Sequence, residues 1–364
     1  MKYFIEHKED IHNILIMKLD HIGDFVIAMP VIQHIREYFS KSEIHIATGS
    51  ANSKLAELFT DKDKIYSIER YTYKNNSVRL ESDRTVKRQI KKRITIDRFD
   101  LVIDLRYTGD CVKFLHMFTR AYKIGFRAHA HFHITAKEIL VPSNWHDTRL
   151  KDVEDPYHIY RKYQYINEIV TGKTWLSFEL SSESINTLLG GDTGKDNKNE
   201  ILIHFNAGVP SREIPEDYII QLIKGLISKN NVTIKLIGTD QNKECGERIV
   251  KSIGSGSVIN TMGEGDIISL FKAIYHCSLL ITSNSGPMHI AALLKRPLIA
   301  LFSYTELPAL WAPFQWGSVL CSAFHYPCKP CHFGECSFSN NMCIIDIPIQ
   351  KVVSETEKIM KQQA

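Results

Sequence analysis

Asn13-Ile-Leu-Ile-Met-Lys18 runs directly into Leu19-Asp-His-Ile-Gly-Asp24, and the reading of these residues decides the fold. The first part is a continuous apolar run with polar ends, which suits a strand buried on both faces of a parallel sheet. The second part is a turn. After it, Val31, Ile32, Ile35, Tyr38 and Phe39 recur at helical spacing, with Pro30 placed in the first turn of that helix. Glu43-Ile-His-Ile-Ala47 then returns as a strand and completes a βαβ unit.

Further along, Asp100-Leu-Val-Ile-Asp-Leu105 repeats the buried-strand signal, so the N-terminal half reads as alternating strand and helix. Between Ser181 and Glu200 the composition shifts to Ser, Gly, Asp, Asn and Lys around Gly190, Gly191 and Gly194, as in an exposed linker. Beyond it the pattern restarts. Strands at 201–205, 232–237, 279–282 and 297–302 alternate with helices from about Pro215, at 266–273 and at 287–294. The expected organisation is α/β, with two doubly wound, Rossmann-like halves: 1–183, a linker at 184–199, and 200–348. The tail, 349–364, carries Ile349, Val352, Val353, Ile359 and Met360 on one face and must dock that stripe. A length of 364 residues agrees with two domains at roughly 150 residues each.

Composition narrows the class. With 44% hydrophobic and 24% charged residues, collagen-like, disordered and low-complexity readings are set aside. The 45 Lys+Arg against 41 Asp+Glu leave a net charge of +4, too small a surplus to indicate nucleic acid, so an anionic partner must be met by a local patch. Met1 to Asp10 is polar and charged, with no export-signal pattern, and no stretch approaches the ~18 uninterrupted apolar residues of a membrane span. A reducing, cytoplasmic setting is therefore expected, which disfavours a disulfide scaffold.

In open α/β sheets ligands bind beyond the carboxyl ends of the strands, which directs attention to three turns. In Asp20-His-Ile-Gly23-Asp24, Gly23 permits close approach and Asp24 stands at a helix N-terminus, where it acts as a general base unless Asp20 or Asp24 merely caps the helix. In Ser283-Asn284-Ser285-Gly286-Pro287-Met288-His289, main-chain N–H groups and the helix dipole make a diphosphate cradle, with Ser285 and His289 adding hydrogen bonds; a ligand-free cap followed by Pro is the plain alternative. In Asn206-Ala-Gly208-Val-Pro-Ser211-Arg212, Gly208 and Ser211 approach a phosphate and Arg212 offers a fork of donors, unless it is simply solvated. No P-loop and no G-x-S-x-G elbow is present, and Asp61-Lys-Asp63 reads as polar surface.

Taken in order, Ile14–Asp24 with Pro30, Asn284-Ser-Gly-Pro-Met-His-Ile-Ala-Ala292 and Phe302-Ser-Tyr-Thr305-Glu306 resemble the bacterial heptosyltransferases, glycosyltransferase family 9. The resemblance implies a GT-B arrangement of two Rossmann-like domains facing a central cleft, the acceptor on the N-terminal one and the nucleotide-sugar on the C-terminal one. It implies a final helix crossing back to the N-terminal domain. It also implies inverting transfer from ADP-L-glycero-β-D-manno-heptose to a lipopolysaccharide inner-core sugar, with no cofactor required for catalysis, beside the inner face of the inner membrane. The family's catalytic aspartate falls on Asp24, its phosphate-contacting basic residue on Arg212, and its nucleotide loop on Asn284, Ser285, Gly286 and His289. Two departures are visible: Asn284 stands where many members carry Asp, and Arg212 where Lys is frequent. Rival readings are another nucleotide-sugar, a protein acceptor, or a non-catalytic nucleotide-binding scaffold.

Two further features stand outside those turns. Arg84, Lys87, Arg88, Lys91 and Lys92 share one helical face, with Arg93 following, and either meet an anionic core acceptor or inner leaflet or are merely solvated. Cys328, Cys331, Cys336 and Cys343 crowd within one segment and either enclose a structural zinc or iron, form disulfides, or stay free.

Overall fold

The computed structural model describes residues 8–74, 77–128, 131–143, 158–173, 178–192, 194, 197–229, 231–304, 308–313, 318–321, 336 and 341–362. The chain divides into two compact units, Met1–Ser184 and Ile185–Ala364.

The N-terminal unit comprises β1 (Asn13–Lys18), α1 (Ile22–Tyr38), β2 (Glu43–Thr48), α2 (Ser53–Ala56), β3 (Ile65–Ser67), a hairpin of β4 (Tyr71–Lys74) and β5 (Ser77–Leu80), and α3 (Asp83–Arg93). It continues with β6 (Leu101–Asp104), α4 (Val112–Leu115), β7 (Tyr122–Arg127), β8 (His133–Ile134), β9 (Glu138–Pro142) and α5 (Ile159–Thr171). Its main sheet runs β3-β2-β1-β6-β7-β9-β8, parallel except where β8 pairs antiparallel with β9. Ile14, Leu15, Ile16 and Met17 are all buried, as an apolar run at the middle of a two-faced sheet must be. The chain reverses direction of travel between β1 and β6, so ligands are expected beyond that point.

The helix after β1 departs from expectation. It begins at Ile22, so Pro30 lies inside α1 and not in its first turn. A mid-helix Pro removes one backbone hydrogen bond. Its neighbours Met29, Val31 and Ile32 are fully buried, and that tertiary packing outweighs the local penalty.

α6 (Ser182–Leu188) occupies part of the stretch expected as a linker. Leu188 and Leu189 are buried, and Gly190 and Gly191, both at positive φ, end the helix. The C-terminal unit then builds β10 (Asn197–His204), α7 (Glu216–Lys229), β11 (Thr233–Leu236), α8 (Lys243–Ile253), β12 (Val258–Asn260), α9 (Ile267–His276) and β13 (Cys277–Ser283). α10 (Gly286–Leu293), β14 (Leu298–Phe302), α11 (Pro308–Trp311), β15 (Ser318–Cys321), α12 (Met342–Ile345) and α13 (Ile349–Gln362) complete it. The sheet, β12-β11-β10-β13-β14-β15, is wholly parallel, with its own switch point between β10 and β13.

The last helix packs within the C-terminal unit. α13 places Val352 and Val353 in the core of the C-terminal unit, against α7. The reason is a gap built for it: Gly225 on α7 lies so close that an added Cβ would meet Val353 at 3.1 Å. Tyr218 Oη donates to Ile347 O at 2.8 Å and Ser318 Oγ to Glu355 at 2.7 Å, which pins the approach to the helix and its outer face.

Candidate active site

In the N-terminal unit, Asp24 occupies the first turn of α1, directly past the carboxyl end of β1. The helix dipole is positive there. The charge of Asp24 is felt by two phenols. Burial, then the charges of Asp110 and Asp24 against that of Arg70, pushes Tyr71 well up. Burial likewise drives Tyr163 up to about 12, with Asp24 adding to the rise and Lys18 opposing it. Gly23, beside Asp24, is partly exposed.

Asp20 is not the helix cap. The cap position is His21, and Asp20 is instead buried between Lys18 and Arg106, with which it forms ion pairs. From there an alternating ladder of charge extends. Arg106 donates to Asp110 at 2.5 Å and to Tyr71 Oη at 2.6 Å; Asp110 pairs with Arg70 at 3.2 Å; Arg70 pairs with Asp83 at 2.9 Å. Against the cost of burial, hydrogen bonds from Arg106, Thr108 and Arg70 hold the Asp110 carboxyl down to about 2. Asp104, fully buried at the end of β6, is pushed up to about 7 by burial, although Arg106 N–H donates to it. The ladder ties the Asp20–Asp24 turn to the β4–β5 hairpin and the start of α3. None of its basic members was flagged as a site residue by sequence spacing, because they lie far apart along the chain.

In the C-terminal unit, the turn after β13 leads into α10 at Gly286. Ser285 stands at the cap position with extended backbone, yet its side chain makes no cap hydrogen bond. Its Oγ turns inward, 3.2 Å from His204 Nδ1, 3.1 Å from Thr282 Oγ1 and 3.3 Å from Ser283 O. The hydroxyl is thus committed to the protein and does not cap the positive end of α10. His204 ends β10 beside Thr282, its register partner on β13. Burial alone lowers the imidazole to about 4, so the ring is neutral at physiological pH.

Asn284 is buried, and its Oδ1 has no hydrogen-bond partner among the described residues. An amide in such a place costs far less than a carboxylate would, which is a physical reason for Asn at this position. His289 is buried in α10, its ring 6.2 Å from that of Trp311.

The loop after β10 closes on the same region: Ser283 Oγ donates to Asn206 O at 3.2 Å. Gly208 borders open space, Ser211 is buried, and Arg212 sits in a single turn of 3₁₀ helix, Pro210–Arg212. Asn341, at φ +51°, donates to both Pro210 O and Glu213 O at 2.8 Å and so braces the turn that presents Arg212. Sequence reading missed His204, Thr282 and Asn341. The available signal for His204 was a single polar residue closing the apolar run Ile201-Leu-Ile.

Of the cysteine cluster, Cys328 and Cys331 lie outside the described residues, as do Thr305 and Glu306 of the third motif. Cys336 and Cys343 are both half-buried. Among the described residues no group of His, Cys, Asp and Glu is placed to hold a metal ion, and no helix is long and apolar enough to cross a membrane.

Residues 87–341 match the family model described as glycosyltransferase family 9 (heptosyltransferase). The chain belongs to this family. It is thus a glycosyltransferase, and the family supplies the two-sheet α/β architecture seen here. Lipooligosaccharide heptosyltransferase 2 of Campylobacter jejuni is 24% identical over 93% of this chain and 96% of its own length. Among solved structures, the Escherichia coli ADP-heptose lps heptosyltransferase II superposes with a TM-score of 0.63 at 15% identity, covering 96% of this chain and 99% of that one. A family 9 glycosyltransferase from Veillonella parvula gives 0.66 at 16% identity over 98% and 99%.

Proposed function

We propose that this glycosyltransferase moves heptose from ADP-L-glycero-β-D-manno-heptose to a sugar hydroxyl of the lipopolysaccharide inner core, with inversion and without a catalytic metal. The observation that carries the reading is the pair of strand-end turns: an ionisable Asp24 in the first turn of α1, and a helix N-terminus at Ser285–Gly286 without a side-chain cap, with Arg212 in the turn that follows the neighbouring strand β10. The names of the relatives supply the donor and the acceptor class.

In this reading Asp24 removes the acceptor proton as the hydroxyl attacks the sugar C1 and the bond to the diphosphate breaks. The departing ADP gains negative charge, which Arg212, the amides of the 285–286 turn and the α10 dipole stabilise. Donors already fixed before reaction do this without reorganisation. One such donor is worth about 10²–10³ in rate. The enzyme would work in the cytoplasm beside the inner leaflet, with no nucleic acid involved. A zinc or iron held by Cys328, Cys331, Cys336 and Cys343 would be structural.

The test is turnover of purified ADP-heptose against a panel of truncated core acceptors, with calorimetric titration of ADP, UDP and GDP. Heptose transfer with preference for ADP is the expected result. Preference for UDP, or transfer only to a protein acceptor, would replace the donor or acceptor assignment.

A further inference from the structure

The hydroxyl of Ser285 is the residue's natural means of capping α10, and it is withheld from that task. A serine at a helix cap normally accepts a hydrogen bond from an amide in the first turn. Here it points back toward the sheet and joins His204 and Thr282 in a compact polar cluster at the switch point between β10 and β13. Thr282 Oγ1 also reaches Ser283 O at 3.0 Å, so the backbone of the turn itself is held on the same cluster. These contacts leave the turn over-determined from below. Buried polar groups that are mutually satisfied fix one conformation, and a cradle aimed at an anion works only if its amides keep their direction.

We propose that His204 is a positioning residue of the donor site: by fixing the Ser285 hydroxyl it holds the 283–286 turn in the shape that receives the donor's diphosphate. His204 itself touches no substrate in this account. The inference rests on the reading that this turn binds the nucleotide diphosphate. It adds that the turn's geometry is set from the neighbouring strand by a neutral imidazole. Neutrality matters because a neutral ring can share one hydrogen with a hydroxyl in either tautomer, whereas an imidazolium could only donate.

The test uses calorimetric titration of ADP and of AMP into the full chain and its variants. His204→Phe removes the nitrogen while keeping a ring, and is expected to weaken ADP binding roughly tenfold while changing AMP binding little, because the second phosphate is what the turn orients. That factor corresponds to about 1.4 kcal/mol. His204→Asn, which returns a polar atom near the place of Nδ1, is expected to recover most of the loss. Ser285→Ala reaches the same contact through a small surface-side change and serves if the Phe variant does not fold. It is expected to lose a similar factor, and the double variant no more than either single one. Unchanged ADP affinity in His204→Phe or Ser285→Ala, or losses that multiply in the double variant, would overturn the inference while leaving the donor reading intact. Absence of ADP binding by the unaltered chain would overturn the donor reading, and this inference with it.

Discussion

Asp20 and Asp24 are both carboxylates in one turn, and their surroundings separate their roles. Asp20 is buried between two cations, while Asp24 is only partly covered and stands on a helix dipole. Asp24→Ala is therefore expected to reduce turnover by about 10²–10⁴ with ADP affinity unchanged, since general-base assistance is lost and the donor site is untouched. Steady-state rates and calorimetry on the same preparation check both halves; loss of ADP binding in step with activity would point to misfolding instead. Asp20→Ala strands the buried Lys18 and the mostly buried Arg106, and is expected to destabilise the chain by about 3–5 kcal/mol. Denaturant unfolding measures it, and a loss under 1 kcal/mol would show that the ladder contributes little.

At the scale of elements, α3 and α13 show opposite uses of an amphipathic helix. α3 buries Val86 and Ile90 and exposes Arg84, Lys87, Arg88, Lys91, Lys92 and Arg93. Each of these surface charges matters little to folding, so Lys87→Glu with Lys91→Glu is expected to shift stability by less than about 1 kcal/mol. Sedimentation with phosphatidylglycerol vesicles should fall for this variant if the face meets an anionic leaflet. Unaltered sedimentation would identify the face as merely solvated. α13 is held by shape. Gly225→Leu would drive a branched side chain into Val353 and is expected to cost about 1–3 kcal/mol, read from thermal or denaturant unfolding.

Over the whole molecule, the half-buried His204 and the fully buried Asp104 bias stability toward opposite ends of the pH scale. His204 titrates near 6.5 when exposed and about 4 when folded, so the unfolded chain binds the extra proton and stability is lost as pH falls from about 6.5 toward 4. Asp104 moves the other way, from 3.8 to about 7, so the folded chain holds its proton and stability is lost as pH rises through that window. Asp104→Asn is expected to remove the second slope, leaving a stability profile that rises with pH between about 4 and 7. Unfolding midpoints across that range decide it; an identical profile in the variant would mean that Asp104 does not carry the proton.

Sequence alone was sufficient wherever a local pattern has a single physical solution. The apolar runs 13–18 and 279–282, short and bounded by polar residues, suit strands in the middle of a parallel sheet, and a strand followed by a polar, glycine-bearing turn and a helix leaves Asp24 and Ser285–Gly286 at strand ends. The motifs at those ends also carried the family. What sequence could not decide depends on pairing between distant residues. Pro30 sits inside its helix because packing outweighed a lost hydrogen bond. α13 packs against α7 because Gly225 leaves it a groove. Asp20 is an ion-pair member and not a cap because Arg106 arrives from the turn after β6, and Ser285 is turned inward because β10 brings His204 beside it. Each of these outcomes is a competition between local preference and a partner supplied by the fold, and the partner's position exists only in three dimensions.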